Sequence, residues 1–311
     1  MNKFLFLIFK KNLKNFIFTI LCALLSQELL FAFVQPSQSI KSAQPNQQTI
    51  QEDKNIALLN AIVNNDIEKI KTLLNPQTNV NTNVNYKNYD GKTPLMFALQ
   101  YIKDPKAMED IITLLLKSGA YVNDKDNVQR TTLMYTLRYI KDPQAIINIV
   151  NLLLNAGINI NDKDKVDKTA LMYALIYIQD HKSIVDIVTL LIQNGARVND
   201  ISITKQTPLL LALTEIKDPN AMIDIIKLLV KNGANINQRY CFNQTPLVYA
   251  LKWIKDLEAL KDIIPLLILD TSISDKDEYG KTPLSIARAR IKNPATLEFI
   301  EKILIAHGAT D

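Results

Sequence analysis

His181 and His307 are the two histidines of this chain, the side chains that change charge nearest neutral pH and so the first candidates for proton transfer. They stand in unlike settings: His181 replaces a proline directly after Asp180, and His307 lies beside Gly308. No spacing gathers a serine or cysteine and an acid around either ring, so both read as surface residues. The triplet Asp-Lys-Asp at 124–126, 162–164 and 275–277 opens like a calcium loop, but the loop's glycine and its closing acid do not both follow. The triplets read as polar turns. Of the two cysteines, Cys22 lies in an apolar leader, which leaves Cys241 without a partner for an intrachain disulfide or a thiolate metal site. The seven glycines form neither phosphate-binding loop pattern. The chain is expected to be no enzyme and to carry no cofactor and no metal.

What recurs is a phrase. "KTPLMFALQYIKDP" begins at Lys92, and relatives of it begin at Arg130, Lys168, Gln206, Gln244 and Lys281. Thr93, Thr131, Thr169, Thr207 and Thr245 are each 38 residues apart, and Thr282 follows after 37. Such a period signals a stacked array of small units.

Within one unit, Thr93 then Pro94 is a helix N-cap followed by proline in the first turn, where the missing N–H costs nothing. Leu95, Ala98, Leu99 and Ile102 then make one apolar helical face. Asp104 and Pro105 repeat the capping signal, Ile111, Ile112, Leu114, Leu115 and Leu116 supply a broad buried stripe, and Gly119 ends the second helix. A short polar stretch returns the chain to the next threonine. One such pair cannot cover its own apolar face, whereas a stack of them can.

The unit resembles the ankyrin repeat. "TPL" opens the first helix, "LLL" with "SGA" or "NGA" closes the second, and a "VN" and "KD" finger follows. Gly119, Gly157, Gly195 and Gly233 match the glycine that ends the second helix, and Asn123, Asn161, Asn199 and Asn237 match the finger asparagine. The resemblance covers about residues 55–311. It implies an all-α ankyrin-repeat solenoid of about seven helix-turn-helix units with protruding finger turns. Units are expected near 55–90, 91–128, 129–166, 167–204, 205–242, 243–279 and 280–311. The family period is about 33. The added residues here fall between "TPL" and "LLL", so both helices are expected to lengthen by up to a turn, the first unit excepted. The family's histidine after "TPL" is replaced by Met96, Met134, Met172, Leu210, Val248 and Ser285. Its finger glycine survives at Gly91 and Gly280, with Gln129, Asp167, Lys205 and Asn243 in its place elsewhere.

An aromatic column runs through the units. Tyr101, Tyr139, Tyr177 and Trp253 share one position, interrupted by Glu215 and ended by Arg290. One turn earlier lie Phe97, Tyr135, Tyr173 and Tyr249, expected in the core. The resemblance places the later column in the concave groove with Gln100, Arg138 and Lys252 beside it, a composition suited to an interface. The competing reading has these rings filling space between longer helices. Tyr89, Cys241, Phe242 and Tyr279 fall at finger tips, where exposed rings favour contact. The expected partner is another protein.

The formal charge is +5, but Lys3, Lys10, Lys11 and Lys14 precede residue 35 with Glu28 as the one acid there. Most of the excess is thus outside the repeats, and a nucleic-acid partner is not expected. Residues 1–34 read as a signal peptide, lysines before the apolar run Phe16–Leu25, or as an uncleaved anchor from Phe16 to Val34. Both readings put the repeats outside the cytoplasm: periplasmic, lumenal or secreted in the first case, membrane-anchored in the second. Residues 35–53 read as a flexible linker and 54–311 as the repeat domain. The expected function is a non-enzymatic protein-binding module using the groove and finger tips. The alternative is a structural envelope or surface spacer with no groove partner.

Overall fold

The computed structural model describes residues 47–75, 82–240, 244–268, 273, 276, 277 and 279–310, with the side chains of 47–53 excepted. The leader, the linker up to residue 46, Cys241, Phe242 and Asn243 lie outside the described residues.

Fourteen helices follow one another in pairs among the described residues. The first members of the pairs are α1 (Gln47–Val63), α3 (Pro94–Tyr101), α5 (Thr132–Tyr139), α7 (Ala170–Tyr177), α9 (Pro208–Glu215), α11 (Pro246–Trp253) and α13 (Pro283–Arg290). The second members are α2 (Ile67–Leu74), α4 (Pro105–Lys117), α6 (Pro143–Asn155), α8 (His181–Gln193), α10 (Pro219–Lys231), α12 (Leu257–Leu266) and α14 (Pro294–Ala306). Each helix packs on its own partner and on the like helix of the neighbouring pair. The described residues therefore form an all-helical solenoid with one continuous core, from Leu58 to Ala309.

Local rules set the helix ends. The side chains of Thr93, Thr131, Thr207, Thr245 and Thr282 accept a hydrogen bond from the backbone N–H three residues on. Thr169 holds the same place without such a bond, and its hydroxyl is buried with no partner. Asp104, Asp142, Asp180, Asp218 and Asp256 cap the second helices in the same way. Gly119, at φ +88, lets α4 close: its N–H donates to the Leu116 carbonyl and that of Ala120 to Leu115. Pro265 lies inside α12, which stops one residue later at ten residues, against thirteen in its neighbours.

Three expectations are corrected. The lengthening is not shared between the helices: the first helices from α3 onward hold 8 residues and most second helices 13. Ile102 is not on the helical face but is its extended C-cap, φ −75 and ψ 127, and is fully buried. The cause is the cap of the next helix: Asp104 is extended, φ −73 and ψ 120, and accepts from the Ala107 N–H, and Ile178 and Ile254 are extended alike ahead of Asp180 and Asp256, which no proline follows. Finally, α1 begins at Gln47, within the segment expected as linker.

Met96, Met134 and Met172, in the family's histidine position, are fully buried, so apolar packing takes the place of a polar network at the helix start. Ser285 in the sixth phrase instead donates to the Thr282 carbonyl.

Thr132 stands where Pro94, Pro208, Pro246 and Pro283 open the equivalent helices, and its hydroxyl is buried without a partner. Thr131 before it is already extended, φ −88 and ψ 165, as a residue preceding proline must be. Thr132→Pro is expected to raise the unfolding free energy by about 1 kcal/mol. Urea denaturation checks this, and a lower midpoint would show that the Thr132 amide is needed.

Candidate functional site

The finger turns are built on one recurring acceptor. Asp126 Oδ1 accepts from the backbone N–H of Val128 at 3.0 Å and of Arg130 at 2.8 Å. Asp164 does the same for Val166 and Lys168, Asp277 for Tyr279 and Lys281, and Asn88 for Asp90 and Lys92. The second aspartate of each "DKD" triplet is thus buried and holds its turn shut. Gln129, Asp167 and Lys205 adopt positive φ of 62, 60 and 59, the geometry that Gly91 and Gly280 take in their own fingers. At Gly91 a side chain is also excluded by contact, since a Cβ there would lie 2.5 Å from Asn127 Oδ1.

Fingers are tied to each other in three ways. Asn85, Asn123, Asn161 and Asn199 each donate from Nδ2 to the carbonyl of Gly119, Gly157, Gly195 and Gly233 in the next unit. Their Oδ1 atoms accept from the N–H of Tyr121, Asn159, Arg197 and Asn235. Lys87, Lys125 and Lys163 pair with Asp124, Asp162 and Asp200 of the following finger at 2.9, 3.2 and 3.0 Å. Backbone bonds from Asn127 to Asp90, Lys165 to Val128 and Ile203 to Val166 complete the edge. The tips are displayed on a rigid strip.

The two aromatic columns separate by one helical turn. Tyr135 is 0% exposed and donates from its hydroxyl to Asp126 Oδ2 at 2.9 Å, and Tyr173 does so to Asp164. Burial holds both phenols well above their ordinary pKa, with the neighbouring carboxylate adding to it, so they remain neutral donors. The later column rides on the earlier one: Phe97–Tyr101, Tyr135–Tyr139, Tyr173–Tyr177 and Tyr249–Trp253 have ring centroids 5.4, 5.4, 5.5 and 6.4 Å apart. Tyr101 is 40% and Trp253 60% exposed, while Tyr139 and Tyr177 are half-buried. The column is therefore neither all core nor all surface.

Arg138 lies between two of these rings, 5.5 Å from the centroid of Tyr139 and 5.1 Å from that of Tyr177. A cavity of about 530 Å³ opens here, lined by Ile102, Met108, Ile140, Tyr139, Tyr177 and Pro105, with Lys103, Arg138, Lys141 and Asp142 as its charged members. Lys252 is already engaged: Nζ lies 2.6 Å from the buried Asp277 carboxylate and 5.6 Å from the Tyr279 ring. Burial pushes Asp277 up, but the bonds from Lys252 and from two backbone N–H groups outweigh it and hold its pKa below the ordinary value. Arg290 does not extend the column outward; it donates to the carbonyls of Leu251 and Ile254, at 2.7 and 2.9 Å.

Among the finger-tip residues, Tyr89 is 98% exposed and Tyr279 is exposed too. Ile203 at its own tip and Tyr121 beyond α4 are further exposed apolar residues that sequence reasoning passed over. For Ile203 the signal was present, since it shares the tip position with Tyr89. His181 faces Asp224 on α10 and Asp218 at its cap, at 3.1 and 3.6 Å. Among the described residues no group of three or more histidines, cysteines or acids could hold a metal, and no helix is long and apolar enough to cross a membrane.

A family model described as ankyrin repeats (3 copies) matches residues 20–126, 106–202 and 140–240. Among solved structures, an ankyrin repeat domain from Acinetobacter baumannii AYE is 26% identical, over 81% of this chain and 98% of its own, with a TM-score of 0.49. The ankyrin repeat domain of Bcl-3, a member of the IkappaB protein family, is 19% identical over 78% of this chain and 97% of its own, with a TM-score of 0.56, a likeness of fold alone. No curated protein matches. The three matched spans run without a break from residue 20 to residue 240, more than half the length; the chain belongs to the ankyrin repeat family.

Proposed function

We propose that this chain is a non-enzymatic protein-binding module, exported or membrane-tethered, that grips its partner on the aromatic face of the first helices and on the finger tips. Ankyrin repeats mediate protein–protein interaction, and these repeats carry a face suited to it. The observation that bears most weight is the partly exposed aromatic column: Tyr101 and Trp253 are exposed, Tyr139 and Tyr177 half-buried against the core, so the rings are presented at little cost in ordering. Arg138 between two of the rings and Tyr89 at a finger tip add contacts of the same kind. Export rests on the leader, with its lysines ahead of an apolar run.

One experiment tests both halves. A photo-crosslinking amino acid replaces Ile176, half-buried in α7 at the position that Arg138 holds one unit earlier, in the chain as its own cells make it, and the cells are fractionated after irradiation. The expected result is a discrete protein adduct in the exported or membrane fraction. Adducts confined to the cytoplasm remove the export half, and absence of any adduct favours the spacer.

A further inference from the structure

The connectors between paired helices repeat a pattern with no role so far. Each places a buried isoleucine, then a polar residue, then the cap of the second helix. The middle residues are Lys103, Lys141, Gln179, Lys217, Lys255 and Lys292, and all six are exposed. None of the five lysines forms an ion pair among the described residues. Lys103 and Lys292 donate to the Gln100 and Ala289 carbonyls, which fixes the ammonium but does not neutralise it.

The aspartates beside them are otherwise committed. Asp104, Asp142 and Asp218 each accept, at 2.7 Å, from the third N–H of the helix they cap. They answer the positive end of that helix rather than the lysine next to them. The lysine column is therefore left without a paired carboxylate among the described residues. Two residues before it, on the same edge, run Tyr101, Tyr139, Tyr177, Glu215 and Trp253. Where the two columns meet in units two to four lies the cavity that Lys103, Arg138 and Lys141 line with Tyr139 and Tyr177.

Helices packed side by side are about 10 Å apart, so the lysines recur at about that spacing. A chain in the extended polyproline II conformation advances about 3.1 Å per residue with three residues per turn, so every third side chain returns to the same face at close to that spacing. We propose that this stripe receives an extended acidic segment of the partner protein, with a carboxylate at every third residue against a lysine and the intervening side chains against the aromatic rings. This rests on the protein-binding reading above and adds the chemistry of the partner. A phosphodiester backbone fits less well. It carries charge far more densely than one cation per unit can answer.

The test uses the full chain and labelled synthetic peptides followed by fluorescence anisotropy. The probes are five repeats of Glu-Pro-Ser, five of Lys-Pro-Ser, and a peptide of the first composition with its glutamates gathered at one end. Proline keeps the probes extended. The wild type is compared with a Lys103→Glu, Lys141→Glu, Lys217→Glu, Lys255→Glu variant, whose exposed positions leave the helical fold intact by circular dichroism. The expected result is binding of the spaced acidic peptide, weakened at least about tenfold by the fourfold reversal and by raising salt to about 0.5 M. The gathered-glutamate peptide should bind several-fold more weakly. Equal binding of acidic and basic peptides, or indifference to the reversal, overturns the proposal. So does sedimentation of the wild type but not the variant with phosphatidylglycerol vesicles when the acidic peptide does not bind, which would assign the lysines to a membrane. Crosslinks from residue 176 to a neutral or basic segment would keep the groove as a binding surface and remove the acidic partner; an absence of crosslinks removes the groove reading itself.

Discussion

Asp126→Ala will destabilise the repeat domain by about 3–5 kcal/mol, the loss expected when one member of a buried, hydrogen-bonded ion pair is removed. Its side chain is 1% exposed and accepts four bonds: two backbone N–H groups of its own turn, Arg130 Nε at 2.7 Å and the Tyr135 hydroxyl at 2.9 Å. Alanine leaves a half-turn without its acceptor, a mostly buried guanidinium without its counter-ion and a buried phenol without its partner. Burial works against the Arg130 charge and the Asp126 carboxylate beside it offsets that burial, holding its pKa above the ordinary value; the variant keeps the burial and loses the offset, and a guanidinium does not shed its proton to escape. Tyr135→Phe removes a single donor and should cost about 1 kcal/mol. Asp164→Ala should cost less than Asp126→Ala: Lys168 takes the place of Arg130, and its pKa is lowered by burial against the pull of Asp164. Urea denaturation gives the totals. Because units in an array touch only their neighbours, hydrogen exchange should show the loss concentrated in the fingers flanking Asp126. A cost below about 1 kcal/mol would mean that the turn holds its shape without the carboxylate.

The parts of this architecture that were legible in the sequence follow rules acting over a few residues. Threonine then proline, aspartate then proline, and a glycine after a leucine run mark helix ends because capping and φ restriction are local. Aligning units on Gly91 and Gly280 exposed the same backbone geometry at Gln129, Asp167 and Lys205. Ile102 was misplaced because its spacing continues the apolar face of α3. The extended conformation of Asp104 as the cap of α4 overrides that period, and the isoleucine reaches the core from an extended segment instead. The candidate site was harder to read, since a tyrosine at the end of a helix suits a core and an interface equally. What separates Tyr135 from Tyr139 is the buried Asp126 nine residues before the first of them. Likewise the capture of Lys252 by Asp277 depends on a contact across 25 residues that no local rule describes.

Trp253→Ala will weaken partner binding by about 2 kcal/mol or more while leaving the melting temperature nearly unchanged. Its ring is 60% exposed and touches the array through Tyr249 at 6.4 Å, so truncation removes little buried area from the core. Tyr139→Ala and Tyr177→Ala will act on both quantities. Their half-buried rings lean on Tyr135 and Tyr173 and hold Arg138 between them, so each should cost about 1–2 kcal/mol of stability besides the contact with the partner. Tyr139→Phe and Tyr177→Phe keep the rings and so should spare stability; any binding they lose belongs to the hydroxyls. Calorimetric melting and titration of the crosslinked partner separate the terms. The result that decides is the ratio of the two losses along the column: at Trp253 it should fall almost wholly on binding, and at Tyr139 on both. If Trp253→Ala instead melts the C-terminal units, Trp253 belongs to the core as Tyr135 and Tyr173 do, rather than standing half-buried against it as Phe97 and Tyr249 do. If all three alanine variants bind as the wild type does, the rings serve the stack alone, and the partner must be held by the fingers.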